Sequence, residues 1–261
     1  MGIGDSCYHN VETGLGLFLE THVLVYSQQA GENDLSGGEA MAKVGVVLSG
    51  CGVYDGAEIH ESVATLLALD RADAEVVFMA PDVNQMHVIN HIQGAPAEQE
   101  VRNVRVEAGR IARGDVSIVN DIKAADIDAL IFPGGFGAAK NLCDFAVKGA
   151  DCTVDPDISK LVMDMHEAGK PVGFLCISPA MAAKIYGDAG IKGVKLTIGK
   201  DKETADAIRA MGAEHVDCEV GDYVVDADHK VVSTPAYMLA QRISEAADGI
   251  EKTVKKVLAL I

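Results

Sequence analysis

The sequence predicts an α/β fold with a doubly wound, mostly parallel sheet. Three observations carry that prediction. From Lys43 onward, short apolar runs of strand length alternate with segments of helical period. At least two of those runs, Ala129–Phe132 and Val172–Leu175, are apolar throughout, as strands covered on both faces must be. The chain has 261 residues and 49% of them are hydrophobic, enough for one α/β domain with a sizeable core.

In chain order, residues 44–48 form the first strand. Residues 58–69 follow as a helix whose inner face carries Val63, Leu66 and Leu67. A strand at 75–79 ends at Pro81. Residues 84–96 read as loop, 101–113 as helix and 116–119 as a short strand. The buried strand Ala129–Phe132 stops at Pro133, Gly134 and Gly135. Ile158, Leu161, Val162 and Met165, spaced i, i+3, i+4, i+7, mark an amphipathic helix leading into the strand Val172–Leu175. Pro179 then sits in the first turn of a further helix. Residues 195–198 form a strand and 204–211 a helix. Residues 223–225 and 231–234 pair as a hairpin across the polar turn 226–230. The closing helix turns Leu239, Ile243, Ala247, Ile250, Val254 and Leu258 inward. No internal repeat is visible, and no boundary follows Met41.

Residues 1–40 differ in kind. They hold no Lys or Arg but six acidic residues, Asp5, Glu12, Glu20, Glu32, Asp34 and Glu39, which argues against a secretory signal and against an Arg-rich transit peptide. A Gly- and Ser-bearing stretch at 30–38 resembles a linker. The expected organisation is therefore an N-terminal extension, 1–40, and a functional domain, 41–261.

The formal net charge of −17 argues against non-specific binding to nucleic acid or to an anionic membrane. No apolar run is long enough to span a bilayer. The six cysteines, at 7, 51, 143, 152, 176 and 218, lack CxxC spacing, so no zinc site and no disulfide framework is expected. A reducing cytoplasm is the simplest setting for them.

Cys176 lies at the joint between the strand Val172–Leu175 and the helix that Pro179 opens. A thiol there stands at the carboxyl edge of a sheet, where open α/β folds concentrate chemistry, and faces a helix N-terminus that favours thiolate. The competing reading is a small buried hydrophobe. Two strand-end loops, 49–56 and 133–137, are glycine-rich without a phosphate-binding fingerprint. Backbone N–H groups of Gly134, Gly135 and Ile177 are candidates to hold an oxyanion or substrate beside the Cys176 sulfur. Glu58 and Glu61, one helical turn apart in the first helix, are both candidates to move a proton at that thiol. His60 between them is a further candidate proton carrier, although a lone helical histidine more often lies at a surface.

The stretches 48–56, 58–61, 132–142, 152–155, 176–181 and 234–241 together resemble the ThiJ/PfpI superfamily, and most closely its isoprenoid-biosynthesis-associated ElbB (sigma cross-reacting) branch, to which glyoxalase activity is assigned. The resemblance covers residues 43–261. It implies a flavodoxin-like, class I glutamine amidotransferase-like sandwich with a nucleophile elbow. It further implies that Cys176 is the nucleophile and Glu61 its partner by spacing, with Glu58 the alternative. Ile177 stands where protease-like members carry His, which counts against peptide hydrolysis. The histidines after Cys176, His215 and His229, lack the glutamate two residues on that a glutaminase needs.

The expectation is thus a glutathione-independent glyoxalase, with no cofactor and no metal, acting on small dicarbonyls such as glyoxal or methylglyoxal through a Cys176 hemithioacetal. The alternative is a non-catalytic thiol or redox-sensing protein, since a reactive thiolate is also readily oxidised. The resemblance also implies a homodimer, with the 51–56 loop near both the Cys176 pocket and the partner.

Overall fold

The computed structural model describes residues 41–261, and the expectation for residues 1–40 lies outside the described residues. The strands are β1 (Lys43–Val47), β2 (Glu75–Ala80), β3 (Ile89–Asn90), β4 (Ala95–Pro96), β5 (Ser117–Ile118), β6 (Ala129–Phe132), β7 (Val172–Leu175), β8 (Lys195–Leu196), β9 (Glu214–His215), β10 (Val224–Asp226) and β11 (Val231–Thr234). The helices are α1 (Ile59–Asp70), α2 (Val104–Ala108), α3 (Phe136–Lys140), α4 (Phe145–Lys148), α5 (Pro156–Glu167), α6 (Ser178–Asp188), α7 (Lys202–Ala210) and α8 (Ile243–Leu258).

Seven strands form the main sheet in the order β10-β11-β7-β6-β1-β2-β5. All neighbours are parallel except β10 and β11, which form the expected antiparallel hairpin. The chain winds outward from β1 through β2 to β5, then returns to β6 and winds the other way through β7 to β11. The reversal opens a crevice at the carboxyl ends of β1 and β6, the place where such sheets bind ligands. One edge strand, β5, has two residues and the other, β10, has three. Two apolar clusters sandwich the sheet. One joins Phe132 and Phe174 to α5, α6 and α7, and the other joins Val46 and Leu175 to α1 and α8.

Several local expectations are corrected. The helix predicted at 101–113 is only the five-residue α2, capped by the Asn103 side chain, because Gly109 and Gly114 support turns rather than continued helix. The 84–96 loop contains the small β3–β4 hairpin. The strand predicted at 195–198 shrinks to β8, which pairs with the unforeseen β9 outside the main sheet. Helix α1 is rotated relative to its expected inner face. Leu66 packs partly buried against the core as expected, but Val63 and Leu67 are exposed, while Glu61, Ser62 and Thr65 are buried beside Ala68 and Leu69. Helix α8 begins only at Ile243, so Leu239 precedes it, and its buried face is Ala246, Gly249, Ile250, Thr253, Val254 and Val257.

Among the described residues no helix is long and apolar enough to cross a membrane. Nor does any group of three or more His, Cys, Asp or Glu side chains among them have the arrangement of a metal site.

Candidate active site

The elbow is built by the backbone. Cys176 adopts φ 60°, a conformation that costs a residue with a Cβ and persists only where its surroundings impose it. Here they do. The Cys176 N–H donates to the Thr234 carbonyl (2.9 Å) at the end of β11. Behind it, the buried Ser178 hydroxyl accepts the Leu175 N–H (2.8 Å) and lies 3.0 Å from the Phe132 carbonyl, tying the end of β7 to that of β6. Pro179 follows in the first turn of α6, as the sequence predicts.

Glu61 comes from α1, the helix following β1, and is wholly buried. Its Oε2 accepts the Gly134 N–H (2.8 Å), its Oε1 accepts the Tyr237 N–H (3.1 Å), and Oε2 and the Cys176 sulfur both border the space at Gly134. Three strand ends, those of β1, β6 and β7, thereby converge with the turn after β11. Gly134 is the only residue type that fits between them: a Cβ there would stand 2.4 Å from the Cys176 Cβ and 2.7 Å from Glu61 Oε2.

The structure distinguishes the two glutamates. Glu58 is the N-cap of α1, its Oε2 accepting the Glu61 N–H (2.7 Å), and it does not reach the thiol. His60 is half exposed and turns away, with Nδ1 2.8 Å from the Tyr237 hydroxyl. Of the three candidate backbone donors, the N–H groups of Gly135 and Ile177 act on the Cys176 thiol, drawing its value down. The Gly134 N–H is occupied by Glu61, so the expectation that it faces an oxyanion is corrected.

Burial raises the Glu61 carboxyl to about 7. The Tyr237 N–H opposes that rise, the Glu58 charge adds to it, and Gly134 and Cys176 oppose it. Burial also pushes the Cys176 thiol well up, and a charged Glu61 pushes it further, against the pull of the Gly135 and Ile177 N–H groups. The expected ready thiolate is therefore corrected. Two negative charges in this dry space repel, so above about pH 7 sulfur and carboxyl hold one proton between them, and the thiolate forms as that proton passes to Glu61. Cys176 is only 7% exposed.

Tyr237, Ser178 and Asn141 were not singled out from the sequence, although each falls in one of the stretches that carried the resemblance or beside Cys176. Asn141 ties the glycine loops together. Its Nδ2 donates to the Ser49 and Asp55 carbonyls (2.9 and 2.8 Å), and its Oδ1 accepts the Met86 N–H (2.9 Å).

A doubly wound sheet with a strained thiol at a strand-to-helix elbow, set over a buried glutamate, defines a class I glutamine amidotransferase-like α/β protein. The DJ-1/PfpI family pattern matches residues 51–240, and the chain belongs to that family. It is 50% identical over 228 residues to the human glutamine amidotransferase-like class 1 domain-containing protein 3, mitochondrial, covering 84% of this chain and 83% of the relative. It is equally similar to the rat ES1 protein homolog, mitochondrial, at 50% over 228 residues and 84% of each chain. Among solved structures, an isoprenoid biosynthesis protein with an amidotransferase-like domain from Ehrlichia chaffeensis superposes with a TM-score of 0.78 at 35% identity, over 84% of this chain and all of that one.

These relatives overturn the cytoplasmic expectation, because the two curated ones are named mitochondrial. Scattered free thiols report a reducing setting, which more than one compartment offers, and so could not decide between them.

Proposed function

We propose that this chain is a cofactor-free glyoxalase for small dicarbonyls, acting in mitochondria as the names of its relatives suggest. The observation that supports it most is the adjacency of the Cys176 thiol and a wholly buried carboxyl, both packed against Gly134, with that carboxyl raised to about 7. A group with that affinity for protons can take and return one during a single turnover.

Cys176 adds to the aldehyde carbon, its proton going to the neighbouring oxygen, and a hemithioacetal results. Glu61 removes the proton from that carbon and returns it to the adjacent one, so the first carbon is oxidised as the second is reduced. The product is a thioester of a 2-hydroxy acid. Water cleaves it, releasing the acid and restoring the thiol. In this reading the Gly135 and Ile177 N–H groups, which act on the Cys176 sulfur, hold the oxygen that gains charge beside it.

Purified full-length chain in thiol-free buffer is expected to convert glyoxal to glycolate, followed by NMR. Cys176→Ala abolishes turnover, and Glu61→Gln lowers it by about 100- to 10,000-fold, the usual worth of a positioned proton carrier. Full turnover in the Cys176→Ala chain would refute this reading. No turnover, with partner binding that depends on oxidised Cys176, would favour the redox-sensing alternative.

We also propose that the chain is a homodimer. Ile59, Val63 and Leu67 form an exposed apolar stripe along α1, and Tyr54 and Phe136, from the glycine-rich stretches 49–56 and 133–137, are exposed as well. A second copy seated there would cover both.

A further inference from the structure

Cys143 and Cys152 are nine residues apart and show no recognisable spacing, yet the fold brings their side chains together away from Cys176. Cys143 bridges Val154 in an antiparallel ladder, flanked by Asp144 N–H to the Thr153 carbonyl (3.1 Å) and Asp155 N–H to the Leu142 carbonyl (2.9 Å). That pattern makes Cys143 and Val154 a non-hydrogen-bonded pair, with side chains close together on one face. Cys152 lies two residues before Val154, so it points to the same face, diagonally opposite Cys143. The two thiols therefore face one another, and Cys143 Sγ is 3.3 Å from the Ala138 carbonyl.

The cover over this pair is slight. Between the two cysteines run α4 and the 3-10 turn Gly149–Asp151, and neither contains a buried residue. Cys143 and Cys152 themselves are 5% and 1% exposed. A segment with so little burial opens locally at small cost, and opening it uncovers both sulfurs to a small reagent.

The sulfurs are not equivalent. The facing Cys143 thiol draws Cys152 below the ordinary thiol value against the cost of burial, and the Lys184 ammonium on α6 assists. Cys143 is driven the other way, by its Cys152 neighbour and by burial. One thiol is the better nucleophile and the other keeps its proton, the division of labour that a dithiol needs.

We propose that Cys143 and Cys152 form a second thiol site, a dithiol that a small hydroperoxide converts reversibly to a disulfide, independently of the chemistry at Cys176. The Cys152 thiolate attacks the peroxide. An S–O bond forms, the O–O bond breaks, and the leaving oxygen takes a proton and departs as water or alcohol. Cys152 is then a sulfenic acid, oxidised by two electrons. Cys143 sulfur attacks it, the S–S bond forms, the S–O bond breaks, and the hydroxide leaves as water with the Cys143 proton. In sum, two thiols and one hydroperoxide give one disulfide, water and the reduced peroxide.

The test uses reduced, full-length folded protein with stoichiometric hydrogen peroxide, followed by acid quenching, alkylation and peptide mapping. The expected result is a cross-linked peptide pair containing Cys143 and Cys152, with the loss of those two alkylatable thiols. It forms equally in wild type and in Cys176→Ser, and dithiothreitol reverses it. In Cys143→Ser the cross-link is lost and Cys152 is instead trapped by dimedone as the sulfenic acid. Persistence of both thiols in wild type while Cys176 is oxidised in the same sample would overturn the proposal. So would a cross-link that forms no faster in native protein than in protein unfolded in urea, a comparison that needs no variant to fold.

Discussion

Glu61 is wholly buried, and both of its oxygens accept backbone N–H groups, an arrangement that only a carboxyl satisfies fully. Its folded value of about 7 lies above the roughly 4.3 of an unfolded glutamate. Between those values the native chain holds a proton that the unfolded chain has released. Its contribution to stability is therefore complete below about pH 4, is lost as pH rises to about 7, and amounts to on the order of 3 kcal/mol. Thermal melts from pH 4 to 8 should show this decline in wild type and a flatter profile in Glu61→Gln, which cannot ionise. Over the same range kcat/KM for glyoxal should rise through about pH 7, as the carboxylate becomes available to accept a proton. Melts equally steep in both chains would contradict the assignment. Cys176 and the pair Glu58 and Glu61 could be picked out in the sequence because a cysteine at a strand-to-helix joint and acids in a first turn are visible locally, while the preference for Glu61 came from the family resemblance. The burial that raises Cys176 and Glu61 could not, since it depends on bringing together the ends of strands far apart in the chain, with Tyr237 meeting Glu61 across 176 residues.

The elbow depends on one hydroxyl. Ser178 in α6 accepts the Leu175 N–H and meets the Phe132 and Leu175 carbonyls, so it closes the hydrogen bonding where β7 gives way to helix. Ser178→Ala leaves a buried N–H without a partner and is expected to cost about 1 to 3 kcal/mol in denaturant unfolding. Turnover should fall further than stability alone accounts for, because Cys176 keeps φ 60° only while both neighbours of the turn are held. Strands of this kind were legible where every residue is apolar, as in Val172–Leu175. Helix α1 was misread because hydrophobicity was taken to mean burial. Its buried face instead carries the polar Glu61, Ser62 and Thr65, of which Ser62 and Thr65 bond back to the helix backbone and Glu61 serves the site.

At the scale of the molecule, the alternation of strand and helix was enough to give the doubly wound sheet. The small β3–β4 and β8–β9 pairs escaped notice because two-residue strands leave no periodicity to read. The exposed stripe Ile59, Val63 and Leu67 now belongs to the assembly question. Light scattering on the full chain is expected to report a dimer at micromolar concentration, and Val63→Glu with Leu67→Glu should shift it to monomer while leaving the fold intact. A wild-type monomer would remove the dimer.

The two margins of the main sheet bear on how such a dimer can form. With two residues in β5 and three in β10, neither margin offers enough free backbone N–H and C=O groups to recruit a foreign strand. Copies of this chain are thereby denied the runaway, edge-on stacking that leads to fibrils. The proposed dimer accordingly joins side chains of helix faces, such as the α1 stripe, and not strand edges.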